Sequence, residues 1–246
     1  MEISVTLVTL NEEENLARCL DSIKKFANEI VIVDSGSIDK TVEIAKKFGA
    51  RVFYRKFDNF SNQKNFAADK AKNNWVFSLD ADEVMTGRLA GEVVNAVKTD
   101  KFVGYLIPRR NIILGKEIKH TRWSPDEHVW LYRKDRGRFE GGVHAEVKVD
   151  GSVGRLKHTK VHFQYKTVGE FFLMINKYTE EEAGEKIERG EIFSIFKMFF
   201  DPALSFFRRF IYKRGYLDGW RGFVLSYMMA IYRITNWIKV WERQRK

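Results

Sequence analysis

The chain has 246 residues, is 44% hydrophobic and carries a formal net charge of +10, so it can bury a core and is not a disordered polyelectrolyte. Its single cysteine, Cys19, excludes an internal disulfide framework and fits a reducing compartment. The first residues lack the basic-then-apolar pattern of a secretory leader, and no run reaches the roughly 18 apolar residues that cross a bilayer.

In chain order, residues 3–10 are β-branched and apolar and predict a strand, followed by a polar turn. Leu16, Leu20 and Ile23 share one helical face, which makes Cys19 a packed thiol and not a nucleophile. Residues 29–33 predict a second strand ending at Asp34. Residues 38–48 predict a helix, capped by Asp39 or Ser37 and closed by Gly49. Residues 51–54 predict a third strand, 62–71 a helix, and 75–79 a fourth strand that runs into Asp80, Asp82 and Glu83. Alternation of this kind predicts an α/β fold with a Rossmann-like, mostly parallel sheet covered by helices on both faces.

Taken alone, Asp80-Ala81-Asp82 reads more readily as a solvated turn capping the next helix than as a ligand site. Its position changes that reading. Polar residues close three predicted strands: Thr9 and Asn11, then Asp34, then Asp80 and Asp82. Polar strand ends on one edge of a parallel sheet make a ligand site. No glycine-rich phosphate loop follows the first strand, which counts against a P-loop or a dinucleotide fold.

Beyond Glu83, residues 104–108, 129–133, 139–149 and 161–165 predict strands of a mixed sheet built onto the first half. From residue 168 the pattern is helical, with aromatic pairs, a turn at 215–222 and a last helix over 223–241. Residues 208–246 hold ten basic and two acidic side chains, +8 of the net +10. A basic, aromatic helical segment suits an anionic membrane interface. The plainer reading of the aromatic pairs is an ordinary helical core, and a basic tail with interleaved aromatics also suits single-stranded nucleic acid.

Several stretches resemble one family. Val-Thr-Leu-Asn-Glu-Glu-Glu-Asn-Leu at 8–16, Ile-Val-Ile-Val-Asp-Ser-Gly-Ser-Ile-Asp-Lys-Thr at 30–41, Gln-Lys-Asn-Phe-Ala at 63–67 and Leu-Asp-Ala-Asp-Glu at 79–83 resemble family 2 glycosyltransferases of the GT-A fold. Trp-Ser-Pro-Asp at 123–126, Arg-Phe-Glu-Gly at 138–141, Val-His-Phe-Gln-Tyr at 161–165 and Lys-Arg-Gly-Tyr-Leu-Asp-Gly-Trp at 213–220 are similar to the lipopolysaccharide-core β-glucosyltransferase subgroup. Two positions depart from that subgroup: Ala145 separates His144 from Glu146, and Trp130 stands where arginine is usual. No Gln-x-x-Arg-Trp motif occurs, which argues against processive polymer synthesis.

The resemblance implies a metal-dependent, inverting hexosyltransfer from a UDP-sugar to a lipid-linked glycan. A polyprenyl-phosphate sugar synthase is the alternative, and a nucleic-acid-binding protein the second. It implies a nucleotide-sugar pocket of Thr9, Asn11, Glu12, Asp34, Lys64 and Asp80, with Asp34 accepting from uracil N–H and Asp80 contacting the ribose. Asp82 and His162 would bind Mg2+ or Mn2+. Asp126 would be the general base, with Glu127 as runner-up, and Glu83, Trp123, Glu140 and His144 would support metal or acceptor. Residues 1–167 would form the catalytic domain, with a nucleotide half at 1–100 and an acceptor half at 101–167. Residues 168–246 would form amphipathic helices, with 192–246 against the cytoplasmic face of the membrane.

Overall fold

Strand β1 (Ile3–Thr9) is buried along almost its whole length, as a central parallel strand must be. The computed structural model describes residues 2–141 and 145–245. After β1 come α1 (Glu13–Ile23), β2 (Glu29–Asp34), α2 (Thr41–Lys47), β3 (Arg51–Tyr54), α3 (Phe60–Lys70) and β4 (Trp75–Ser78). Then follow β5 (Glu83–Val84), α4 (Gly87–Thr99), β6 (Gly104–Ile113), β7 (Lys116–Ile118), β8 (Glu127–Arg133), β9 (Gly137–Glu140) and β10 (Glu146–Val149). The chain closes with β11 (Val153–Arg155), β12 (Lys160–Gln164), α5 (Val168–Glu188), α6 (Ile195–Phe207), a π-helical turn, a 3-10 turn and α7 (Trp220–Gln244).

The chain forms two compact units. One comprises Met1–Arg110 and Asp126–His162; the other comprises Asn111–Pro125 and Phe163–Lys246. The sheet order is β3-β2-β1-β4-β8-β6-β12-β5. The first four strands are parallel, whereas β8 is antiparallel to β4 and β6 antiparallel to β8. After β1 the chain moves outward through β2 and β3, then returns to lay β4 on the other side of β1. That reversal leaves a crevice between the carboxyl ends of β1 and β4, where open α/β sheets bind ligands.

Alternation along the strands builds two layers of core in the first unit. Trp75, Phe77 and Leu79 pack with Leu16, Leu20 and Ile23 of α1 and with Leu89 and Val93 of α4. Val76 and Val31 point the other way, onto Ala68 of α3. Cys19 is fully buried in the first layer, and burial pushes its thiol well above the ordinary range, as its place on the apolar face of α1 predicts.

Several predicted bounds differ. The helix after Glu83, given no bounds by the sequence reading, is α4, with Leu89, Val93, Ala96 and Val97 at helical spacing; its cap is Thr86 and not the Asp80–Asp82 turn. The expected strand over 139–149 is two strands, β9 and β10, paired antiparallel with Glu140 opposite Glu146. Helix α2 begins at Thr41, later than expected. Its cap residue is Lys40, because the Asp39 carboxylate, the anticipated cap, accepts from Thr41 N in a tight turn just before it. Helix α7 begins at Trp220, since the 3-10 turn Gly215–Asp218 ends at Gly219.

In the second unit Ile113, Ile118, Phe171, Ile175, Leu225 and Met228 form one core, and Ala183, Trp237 and Val240 a smaller one. Helix α6 contributes no buried residue to either.

Candidate active site

The sheet's reversal brings carboxylates and cations to one edge. Register shows how. Phe77 of β4 pairs with Leu131 of β8, so the start of antiparallel β8 lies beside the end of β4. Pro108 of β6 pairs with Glu127, and His162 of β12 with Glu83 of β5. Asp80, Glu83, Arg109, Asp126, Lys160 and His162 therefore meet although up to about eighty residues separate them.

At the end of β1, Thr9 Oγ1 donates to Asp34 Oδ2 at 2.9 Å. Asp34 is buried and also accepts from Gly36 N, Ser37 N and Ser37 Oγ. It orders the loop after β2, and accepting from a base would replace one of these donors. Asn11, at φ +55, accepts from Ile38 N and so ties the two loops together. Glu12 accepts from Asn15 Nδ2 at 3.0 Å. Burial pushes its carboxyl up, and the nearby charges of Asp82 and Asp80 push it further.

The turn after β4 is internally braced. Asp80 N donates to Glu83 Oε2 at 2.9 Å, and Glu83 N to Asp80 O at 3.0 Å. Glu83 is fully buried, which rules out the solvated-turn reading for that carboxylate. Its partners are Lys160 Nζ at 2.5 Å and an Arg109 guanidinium nitrogen at 3.1 Å. Burial raises the Glu83 carboxyl, but Lys160 and Arg109 overcome that and hold it below its ordinary range. Burial pushes the Lys160 ammonium down to about 8, with Glu83 opposing. For Asp80, burial again acts upward. Lys64, whose Nζ donates at 2.8 Å, together with Lys160 and Arg109 outweighs it, so the carboxyl lies far below the usual carboxylate range.

Arg109 spans the site. It reaches Glu83 on one side and donates through Nε to Asp126 Oδ2 at 2.8 Å on the other. Asp126 Oδ1 lies 3.2 Å from His128 Nε2, and His128 Nδ1 lies 3.4 Å from Glu146. Glu127 is not part of this group. Successive residues of a strand alternate faces, and Glu127 pairs instead with Arg155.

Trp130 sits at a bulge, where two residues of β8 oppose one step of β6. Bulges re-aim side chains. The Trp130 ring lies 3.4 Å from Lys160 Nζ and 5.4 Å from both Lys64 Nζ and Arg109 Cζ. Three cations surround an aromatic face, where a fourth cation in place of Trp130 would repel them.

Asp82 Oδ2 is 3.1 Å from His162 Nε2. Among the described residues no three His, Cys, Asp or Glu side chains come together as a closed metal cage. One carboxylate and one imidazole fit a divalent cation that takes its other ligands from phosphate oxygens and water.

Some predicted residues lie elsewhere. Trp123 belongs to the second unit, where Arg209 stacks 5.0 Å above its ring and Phe171 lies 6.3 Å away. Glu140 is exposed on β9. His144 lies outside the described residues. Conversely, Arg109, Lys160, His128 and Glu146 join the site although the sequence reading does not include them. The available signals were a charged residue inside apolar β6, and Lys160 two positions from His162 on one strand face.

The profile of glycosyl transferase family 2 matches residues 4–160. The chain belongs to this family. Along 99% of its length it is 28% identical to the lipopolysaccharide core biosynthesis glycosyltransferase LpsC of Rhizobium meliloti, covering 93% of that protein. It is 27% identical to a glycosyltransferase of Rickettsia typhi, covering all of this chain and 88% of the relative. The resemblance to the lipopolysaccharide-core subgroup thus extends over the whole chain, and the protein is a glycosyltransferase by family. Among solved structures, residues 1–349 of S. aureus TarS in complex with UDP-GlcNAc superpose with a TM-score of 0.52 at 17% identity. That match covers 69% of this chain and 60% of the TarS chain, and supports the GT-A-like fold.

Proposed function

We propose that this glycosyltransferase moves a hexose, such as glucose, from a UDP-sugar to a lipid-linked glycan of the lipopolysaccharide-core type, by one inverting displacement. The observation that carries this reading is the meeting of Asp80, Asp82, Glu83, Lys64 and His162 with Asp126 at one sheet edge. Donor-binding carboxylates and an acceptor-side carboxylate arrive there from different strands.

Thr9, Asn11, Glu12 and Asp34 form the nucleoside side of the crevice, and Asp80 reaches the ribose. Lys64, paired with Asp80 at 2.8 Å, turns toward a phosphate of the donor in this reading. Asp82 and His162 hold Mg2+ or Mn2+, which when bound supplies Lewis-acid neutralisation of the leaving diphosphate. Glu83, held by Lys160 and Arg109, braces the turn that carries Asp80 and Asp82. The acceptor hydroxyl loses its proton on the Asp126 side, where Arg109 fixes the carboxylate. Catalysis belongs to the first unit, Met1–Arg110 with Asp126–His162, and exposed Glu140 of β9 is its further acceptor-side residue.

The second unit supports membrane docking through residues 192–246. Helix α6 is the exposed apolar element: Phe196, Phe199, Phe200 and Phe207 are each at least half exposed. Exposed Lys197, Arg208, Lys213 and Arg214 lie in the same segment. An apolar surface of this kind with basic residues among it fits an anionic bilayer interface. No helix among the described residues is long and apolar enough to cross a membrane. The surface favours a peripheral association, placed by the lipid-linked acceptor on the cytoplasmic face.

A screen of UDP-glucose, UDP-galactose and UDP-GlcNAc against rough lipopolysaccharide and polyprenyl phosphate, with Mn2+, tests the reading. Asp82→Ala is expected to abolish metal-dependent UDP binding in calorimetry. Asp126→Asn is expected to keep UDP binding and lose transfer by about 10²–10⁴-fold, the usual worth of acid–base assistance. Full transfer by Asp82→Ala in the presence of a chelator would overturn the metal-assisted mechanism.

A further inference from the structure

Asp126 is in a poor position to take a proton directly. Both of its oxygens are engaged, one by Arg109 at 2.8 Å and the other by His128 Nε2 at 3.2 Å. General-base catalysis works best when proton affinity is matched to the working pH. Imidazole is the side chain with that property near neutrality. Exposure points the same way: the Asp126 side chain is 12% exposed and that of His128 is 36%.

We propose that His128 is the catalytic base and that Asp126, fixed by Arg109, is a positioning residue that orients the imidazole. The inference rests on the glycosyltransferase reading above. Among the described residues, Asp126, just before β8, lies at the imidazole Nε2, and Glu146 of β10 lies at Nδ1. The Trp130 ring stands edge-on at 5.5 Å, and Arg109 of β6 is one carboxylate away. With Nε2–H donating to Asp126, Nδ1 is the accepting atom. Glu146, whose side chain is 51% exposed, gives way there to the incoming hydroxyl.

The step balances. The acceptor O–H bond breaks and its proton passes to His128 Nδ1. The acceptor oxygen bonds to the anomeric carbon as the bond from that carbon to the diphosphate oxygen breaks, and UDP leaves with the electron pair. The imidazolium so formed lies between two carboxylates, which stabilise it as the aspartate of a carboxylate–imidazole pair does elsewhere.

The test uses the full chain with Mn2+ and whichever of UDP-glucose, UDP-galactose or UDP-GlcNAc the wild type hydrolyses, with water as acceptor and UDP release as readout. His128→Ala is expected to lose about 10²–10⁴-fold in turnover while calorimetric UDP affinity is kept, and free imidazole is expected to restore roughly tenfold or more. Such rescue separates a lost base from a lost fold. Turnover by His128→Ala close to wild type, or a loss that imidazole leaves in place, would overturn the proposal and return the proton to Asp126. If the wild type releases UDP from none of the three donors, the UDP-sugar donor reading beneath it fails, which is a distinct result.

Discussion

Glu12 shows how the site pays for its function in stability. Its carboxyl is raised by burial and by the charges of Asp82 and Asp80, so the folded state binds a proton there more readily than the unfolded chain does. The sign follows from linkage: the penalty is absent at pH values where Glu12 is protonated in both states, and grows as pH rises through and above the ordinary carboxylate range. Glu12→Gln should therefore raise the melting temperature of the ligand-free protein at pH 7. A gain of about 1 kcal/mol would be roughly 2–4 °C for a chain of this size. The gain should vanish near pH 4, and scanning calorimetry at both pH values checks it. A gain of equal size at both would mean that packing, not charge, is responsible. Lys160 makes the complementary point. A fully buried ammonium is tolerable because Glu83 and the Trp130 face surround it.

At the level of elements, the second unit depends on one backbone crossing. A Cβ placed on Gly222 of α7 would lie 1.8 Å from the Gly215 carbonyl oxygen, and one on Gly215 would lie 2.8 Å from Arg209 O. Both obstacles are backbone and cannot turn aside. Between these glycines Asp218 is buried and accepts from Lys119 N and His120 N. Arg209 donates to Thr121 O at 2.7 Å. The Lys213–Trp220 motif is thus accounted for by close packing and by its hold on the 119–121 loop. Gly222→Ala should destabilise the protein by at least the 1–3 kcal/mol or so typical of overpacking, read as a lowered thermal midpoint. Unchanged melting would show that the crossing can open. Ser226, also buried on α7, gives a control: Ser226→Ala adds no volume and loses only its bond to Gly222 O.

For the molecule as a whole, charge is sorted more finely than the sequence suggests. Of the ten basic residues in 208–246, Arg233, Lys239 and Arg243 pair with Glu182 and Glu180 of α5. Burial pushes the Arg209 guanidinium down to about 10. Lys197 of α6 and Arg208, Lys213 and Arg214 just after it are exposed cations of the same segment. Neutralising Lys213 and Arg214 together to Gln should weaken binding to vesicles rich in phosphatidylglycerol by roughly 10–30-fold, at about 1 kcal/mol per basic residue. Phe196→Ser with Phe199→Ser should weaken it at every salt concentration. Equal binding of the wild type to neutral phosphatidylcholine vesicles would sink the electrostatic part of the proposal.

The sequence by itself determined the alternating α/β half, its strand ends and its family, because periodicity and strand-end chemistry are local and because the motifs at 8–16, 30–41, 63–67 and 79–83 carry the resemblance. It also placed Cys19 inside the core. What it could not determine were partners made by antiparallel pairing across long stretches of chain. Glu83 reaches Lys160, and Asp126 reaches Arg109, only because β8, β6 and β12 return to the edge where β4 ends. The bulge that turns Trp130 toward three cations has no local signature, since it arises from one residue of mismatch between β6 and β8. The same holds for α6. Its apolar spacing reads as core, and only the tertiary structure leaves all thirteen of its residues short of full burial, because it meets the second unit's core from one side alone, through Met198 and through Asp201, which accepts from Trp237 Nε1.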